Sequence, residues 1–142
     1  MCNSRVTYMD KEIIHRYFFK QSLSEVWDYL TRPELLEQWL MKTDFQLRIG
    51  HKFSFNNKSG KAVYCEVLEI VPNKFLSYSW KVKDSGNVIT VDSKVLWTLS
   101  EKDGGTELHL KHTGFMLSDD YLAHTTGWVN CLTLLEKLLK TH

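Results

Sequence analysis

Alternation of apolar and polar side chains dominates the middle of the chain and predicts one strand after another. In the run 75–82, Leu76, Tyr78 and Trp80 share one face, and Ser and Lys residues occupy the other. Such alternation is typical of an antiparallel sheet with one buried face and one face in water. Comparable runs, separated mostly by short polar turns, cover residues 11–20, 45–49, 52–55, 63–71, 91–99 and 106–113. The pattern therefore predicts an antiparallel meander of about six to seven strands.

Helical spacing replaces this alternation in three places. After the first strand, Ser22 or Ser24 can begin a short helix, and Pro33 suits the first turn of a second one. From Ser118, a suitable N-cap residue, apolar residues recur at helical spacing over about 23 residues, or about 34 Å. The prediction is an α+β domain with one strand, two short helices, about six strands and one long C-terminal helix.

The 142 residues are expected to form a single domain over 1–142, with residues 1–10 as a short tail or the start of a strand. Seven strands at about 4.8 Å spacing make a sheet roughly 30 Å wide. One helix with its side chains is only about 10–12 Å across, so it cannot cover a flat sheet of that width. The sheet should therefore curl around the long helix.

Aromatic residues make up 13% of the chain, and each buried ring covers about 150–250 Å². A curled sheet closed by one helix leaves an internal space, which these rings either fill or line as a ligand pocket. Gly127 is expected to let the long helix approach the sheet closely. The candidate cavity residues are the inward positions Phe53, Phe55, Tyr78, Trp80, Val95, Trp97, Leu110, His112, Phe115, Trp128, Leu132 and Leu135.

Charge and cysteine usage narrow the class of protein. The net charge is +1 with both signs interspersed, which argues against a nucleic-acid surface. No apolar run approaches the roughly 20 residues of a membrane span, and the start does not resemble a signal peptide. Cys2, Cys65 and Cys131 form no C-x-x-C pair, so we expect free thiols in a reducing compartment. Together these features predict a cytoplasmic protein.

His112 is the strongest candidate for chemistry, since it faces inward and could act as an acid or base near neutral pH. The alternative, which we favour, is a core histidine whose ring nitrogens are satisfied by hydrogen bonds. Tyr78 is the second polar candidate. The histidines are scattered without metal-binding spacing, and neither a nucleophile elbow nor a phosphate-binding glycine loop occurs. We therefore assign no catalytic residue, no metal and no cofactor.

Four segments carry a family resemblance. They are VWDYLTRPELLEQW at 26–39, LEIVPNKFLSYSW at 68–80, HTGF at 112–115, and Gly127-Trp128 followed by Leu132, Leu135 and Leu138. In this order, over roughly residues 12–140, the chain resembles the C-terminal-type domain of the activator of heat-shock-protein-90 ATPase homologue family. The resemblance implies the START-like (SRPBCC) helix-grip fold, whose members enclose a hydrophobic cavity between the sheet and the C-terminal helix.

Three functions compete. The leading hypothesis is a non-enzymatic domain that holds an apolar small molecule or lipid-like ligand in an internal cavity. The second is a protein-interaction module, either a homodimer or a domain linked to a chaperone, which predicts an exposed apolar patch. The third is an enzyme acting on a hydrophobic substrate, which requires polar side chains such as His112 and Tyr78 to reach the cavity.

Overall fold

A computed structural model describes residues 11–141 as one seven-stranded antiparallel sheet with three helices; the predicted tail at residues 1–10 lies outside this range. The strands are β1 (Ile13–Phe19), β2 (Lys42–Thr43), β3 (Lys52–Asn56), β4 (Ala62–Val71), β5 (Phe75–Lys83), β6 (Ile89–Lys102) and β7 (Gly105–Thr113). The helices are α1 (Leu23–Thr31), α2 (Pro33–Trp39) and α3 (Ser118–Lys140). The sheet order is β1-β7-β6-β5-β4-β3-β2, so β2 to β7 form a meander and β1 joins it beside β7.

The sheet curls into a half-barrel and buries its inner face against α3, which confirms the predicted helix-grip architecture. The period-2 pattern of β6 holds over its whole inner face, where the buried residues are Val91, Ser93, Val95, Trp97 and Leu99. Helix α3 adds a buried stripe made of Trp128, Leu132, Leu135 and Leu139. Sheet and helix therefore share one hydrophobic core.

The predicted cap of α1 is confirmed, whereas that of α3 is wrong. Ser22 Oγ accepts a hydrogen bond from the backbone N–H of Glu25, and the Glu25 carboxylate accepts one from the Ser22 N–H, which makes a capping box. In α3, the Tyr121 N–H already donates to the Leu117 carbonyl at 3.1 Å. Leu117 is therefore the N-cap residue, Ser118 lies inside the first turn, and no side chain caps this helix.

Residues 45–49, predicted as a strand, are an irregular segment, and the short strand β2 precedes them. Thr43 Oγ1 accepts from the Phe45 N–H at 3.2 Å and donates to the Ser54 carbonyl at 2.8 Å. This local bond turns the backbone away from strand pairing. Phe45 is nevertheless buried, with its ring centroid 4.9 Å from that of Phe53. The apolar run therefore marks a core anchor and not a strand.

Candidate ligand pocket

Aromatic rings fill the middle of the space between the sheet and α3. The Trp128 ring lies 5.3 Å from that of Trp80 and 5.5 Å from that of Trp97, measured between centroids. Phe55 lies 5.6 Å from Trp80 on the other side. The rings meet in tilted or edge-to-face arrangements, which are the favourable ones for aromatic pairs. This region is a packed core.

A pocket of about 360 Å³ opens at one end of this core. Its size lies in the usual range for small-molecule sites. Its walls come from the end of α2, the β3–β4 hairpin, β5 and α3, and the lining is mostly apolar. The lining residues are Leu40, Met41, Asn57, Lys61, Ala62, Val63, Trp80, Val82, Ala123, His124, Gly127, Trp128 and Cys131.

Two of the twelve predicted cavity residues, Trp80 and Trp128, line this pocket. The others lie in the packed core and are buried: Phe53, Phe55, Tyr78, Val95, Trp97, Leu110, His112, Phe115, Leu132 and Leu135. Eight of the twelve lie on strands, where their inward direction agrees with the alternation. Of the other four, Phe115 follows β7, and Trp128, Leu132 and Leu135 belong to the buried stripe of α3. Whether any of the twelve contacts a ligand stays a prediction.

Sequence reasoning missed most of the pocket wall. On α3 it overlooked Ala123, His124 and Cys131, which share a face with Gly127 beside the buried stripe. The signal available in the sequence was the pair of small residues, Ala123 and Gly127, four positions apart and next to Trp128. Small side chains at that spacing leave room beside the ring.

Hydrogen bonds hold His112 as a neutral core histidine. Trp128 Nε1 donates to His112 Nδ1 at 2.9 Å, so this nitrogen carries no proton. His112 Nε2 then donates to Ser93 Oγ at 2.8 Å, and Ser93 donates onward to the Trp80 carbonyl at 2.8 Å. Burial, with a smaller contribution from the neighbouring His124, lowers the pKa of His112 to about 2. Both ring nitrogens are engaged away from the pocket.

Tyr78 is also enclosed in the core. Its hydroxyl oxygen accepts a hydrogen bond from Trp97 Nε1 at 2.9 Å. Burial raises the pKa of the phenol, although the bond from Trp97 acts in the opposite direction. Neither Tyr78 nor His112 is among the residues that line the pocket. The two polar candidates from the sequence therefore stabilise the core.

His124 is the histidine that does line the pocket, and it joins α3 to β5. Trp80 Nε1 donates to His124 Nε2 at 3.1 Å. Because an indole N–H can only donate, the proton of neutral His124 lies on Nδ1, which donates to the Asp120 carbonyl at 2.8 Å. Both of its ring nitrogens are already bonded within the protein.

Gly127 leaves open space in the wall of the pocket. Apart from its chain neighbours and the backbone of its own helix, a Cβ built on this residue would meet no heavy atom within 4 Å, so the expected close approach of helix and sheet at Gly127 is wrong. A glycine inside a helix costs about 1 kcal/mol relative to alanine. At this position, that cost is accompanied by an unfilled volume beside Trp128.

Metal ligands, membrane-spanning helices and reactive thiols would indicate other kinds of site in residues 11–141. No group of three or more His, Cys, Asp or Glu side chains in this range is arranged to hold a metal ion. None of the helices in the same range has the length and apolar character that a bilayer span needs. Cys65 and Cys131 carry free thiols, and burial raises the pKa of each.

A curled antiparallel sheet closed by one C-terminal helix defines the START-like helix-grip class of proteins. Within that class, the chain belongs to the family described as activator of Hsp90 ATPase homolog 1-like protein, which it matches over residues 20–140. The resemblance inferred from the four sequence segments is thereby confirmed.

Solved structures show the same fold. Protein MLL2253 from Mesorhizobium loti is 32% identical, with a TM-score of 0.84 over 92% of this chain and 98% of its own. CalU16 from Micromonospora echinospora is 26% identical, with a TM-score of 0.76 over 92% and 76%. The Aha1 dimer from Colwellia psychrerythraea is 20% identical, with a TM-score of 0.72 over 91% and 96%. No curated protein matches the chain.

Proposed function

We propose that this chain is a non-enzymatic domain that binds an apolar small molecule in the pocket between α2, β5 and α3. The observation that carries the proposal is the wall of that pocket. Two tryptophan rings, Trp80 and Trp128, face an unfilled volume that the missing side chain of Gly127 keeps open. Apolar pockets with few polar groups are the usual form of small-molecule sites.

The volume of the pocket sets the size of the ligand. At about 30 Å³ for each water-sized group, a pocket of about 360 Å³ accommodates roughly a dozen non-hydrogen atoms. A medium-length alkyl chain or a two-ring aromatic compound has this size. A ligand much larger than this would extend past the rim into solvent.

The hydrogen bonds in the core favour binding over catalysis. A general acid or base must reach the proton that it transfers. His112 and Tyr78 are instead bonded to tryptophan N–H groups inside the core, and His124 bonds Trp80 and a backbone carbonyl. Each histidine would have to give up a bond within the protein before it could act on a substrate, and the Tyr78 hydroxyl is enclosed in the core.

The test is a titration with the neutral apolar probes 1-decanol and naphthalene, followed by tryptophan fluorescence and calorimetry. Gly127→Phe should fill the pocket and weaken binding at least tenfold. Val129→Phe is the matched control, because Val129 is exposed on α3 and does not line the pocket. Failure of the wild-type protein to bind either probe saturably would contradict the proposal, as would equal binding by the Gly127 variant.

Self-association is a second candidate function. Ile14 and Phe18 are 48% and 47% exposed on the outward face of β1, and among the described strands β1 pairs only with β7. Apolar residues on an unpaired edge strand favour contact with a second copy. The Colwellia Aha1 structure is a dimer by its own description. Support for a chaperone partner comes from the family description alone.

Light scattering over a range of concentrations tests the dimer. If β1 forms the interface, Phe18→Glu should give a monomer. Ile49→Glu is the control, because Ile49 is 64% exposed and lies outside the sheet. A wild-type protein that stays monomeric at high concentration would count against self-association.

A further inference from the structure

We infer that the ligand of this pocket has an apolar body and an anionic head group, and that Lys61 at the pocket rim binds the head group. The inference rests on the proposed function, since it specifies the chemistry of a ligand in the same pocket. It also depends on which polar groups of the pocket wall have no hydrogen-bond partner among residues 11–141 and can therefore bind a ligand.

The polar groups deep in the pocket wall already form hydrogen bonds within the protein. The indole N–H of Trp80 is donated to His124, and that of Trp128 is donated to His112. The remaining ring nitrogen of His124 donates to the carbonyl of Asp120. The inner part of the pocket therefore presents ring and methyl surfaces, which suit an apolar body.

Two residues of the β3–β4 hairpin provide the polar groups at the rim. Asn57 Oδ1 accepts from the Ser59 N–H, the Ser59 hydroxyl and the Lys61 N–H, at 3.0, 2.6 and 3.0 Å. These backbone donors identify that atom as the oxygen, so the group left for a ligand is the amide NH₂. Lys61 supplies an ammonium group. Both rim groups are donors, and one of them is positively charged.

No carboxylate in the structure neutralises this charge. Between residues 11 and 141, no carboxylate oxygen lies within 4.0 Å of the Lys61 ammonium, and no acidic residue lines the pocket. Asp84 lines a neighbouring cleft together with Lys61, and it accepts hydrogen bonds from two backbone N–H groups of its own turn. Lys83, also in that cleft, lies with its ammonium 4.5 Å from the centre of the Tyr64 ring. The field at the rim therefore favours an anion.

Size and charge together specify the probe. Decanoate has about a dozen non-hydrogen atoms, which is the number that a pocket of about 360 Å³ holds. With its chain beside Trp80 and Trp128, its carboxylate would emerge at the rim, within reach of Lys61 and the Asn57 amide. A phosphate head on the same chain offers the same anionic chemistry, so decyl phosphate is the second arm.

The experiment compares decanoate, decyl phosphate, 1-decanol and decylamine by calorimetry, at low salt and below their micelle concentrations. The anions should bind about fivefold more tightly than the alcohol, the upper range for a partly exposed ion pair, and the amine should bind least well. High salt should reduce the preference, because a charge at the rim is screened.

Lys61→Gln should abolish the preference, and Lys61→Arg should retain it. Lys58→Gln is the control, since Lys58 is an exposed residue of the same hairpin that does not line the pocket. Equal binding of decanoate and decanol to the wild-type protein, or a preference that survives in Lys61→Gln, would overturn the inference and leave the apolar pocket intact. Absence of binding by every probe would instead contradict the proposed function. A preference for decyl phosphate over decanoate would identify a phosphate as the better head group and would support the inference.

Discussion

The indole N–H of Trp128 donates a hydrogen bond to Nδ1 of His112 over 2.9 Å and so joins the middle of α3 to β7. Because an indole nitrogen can only donate, the imidazole must accept at this atom. Protonation of His112 would replace the acceptor with a second donor and break the bond. The folded state is therefore more stable when this histidine is neutral.

Stability should fall as the pH drops below about 6.5, the pKa of an unfolded histidine. The pKa of His112 is lowered to about 2 in the folded state, so between these values the unfolded chain binds the extra proton. The stabilisation is fully present above pH 6.5 and is lost as the pH falls towards 2. Between pH 7 and 5 the loss from this one group is up to about 2 kcal/mol.

Urea unfolding at pH 7 and pH 5 measures this loss in the wild-type protein and in His112→Gln. The pKa values of His15 and His109 are also lowered, first of all by burial, but both residues are present in each protein. The difference between the two pH dependences therefore isolates His112. Identical pH dependence in the variant would contradict the assignment.

Trp128→Phe should destabilise the protein by about 1–3 kcal/mol more than Trp27→Phe. The first change leaves Nδ1 of the buried His112 without its donor. Trp27 is also buried, but its indole N–H makes no hydrogen bond within residues 11–141, so its replacement removes ring volume and no bond within that range. Chemical denaturation of the two variants is the measurement, and equal losses would show that the hydrogen bond contributes nothing.

The two helix starts should respond differently to the same substitution. Ser22→Ala removes the capping box of α1 and should reduce the free energy of unfolding by about 1 kcal/mol. Ser118→Ala removes no cap bond from α3 and should stay within about 0.5 kcal/mol of the wild type. If thermal denaturation shows the larger loss for Ser118, the start of α3 is at a different residue.

Gly127→Ala should increase the free energy of unfolding by about 0.5–1 kcal/mol, because the methyl group meets no atom of another element within 4 Å and alanine favours the helix. Gly50→Ala makes a useful contrast, since Gly50 has a φ of +84° and its replacement should destabilise the turn. Thermal denaturation compares the two. A destabilised Gly127→Ala would mean that this position is closely packed.

Local periodicity in the sequence was enough to predict most of the fold. The inward direction of residues such as Trp97 and Leu110 can be predicted from the sequence, because side-chain direction alternates along any strand. The same reasoning failed at residues 45–49, where an apolar run anchors a loop through Phe45. A run of apolar residues reports burial, and burial alone does not distinguish a strand from an irregular segment.

The pocket was less predictable because it depends on contacts between distant segments. The inward direction of His112 follows from its strand, but its proton position depends on Trp128, 16 residues further along the chain. Whether rings fill a cavity or line it depends on how Trp80 and Trp128 meet, and no local pattern determines that. The open space beside Gly127 likewise depends on how the sheet packs against α3, which the local sequence does not determine.

The position of β1 has a consequence for the order of folding. Ile13 pairs with His112, and the Gln21 amide donates to the Leu139 carbonyl, 118 residues away, at 2.6 Å. The hairpins from β2 to β7 close short loops, whereas β1 must bring together opposite ends of the chain, which is the slower kind of contact to form. We expect β1 to join after the transition state, so Ile13→Val should accelerate unfolding and leave the refolding rate nearly unchanged in stopped-flow experiments. A slower refolding rate would place β1 in the folding nucleus. An unchanged refolding rate would mean that β1, the first strand of the described chain, is the last strand to join the sheet.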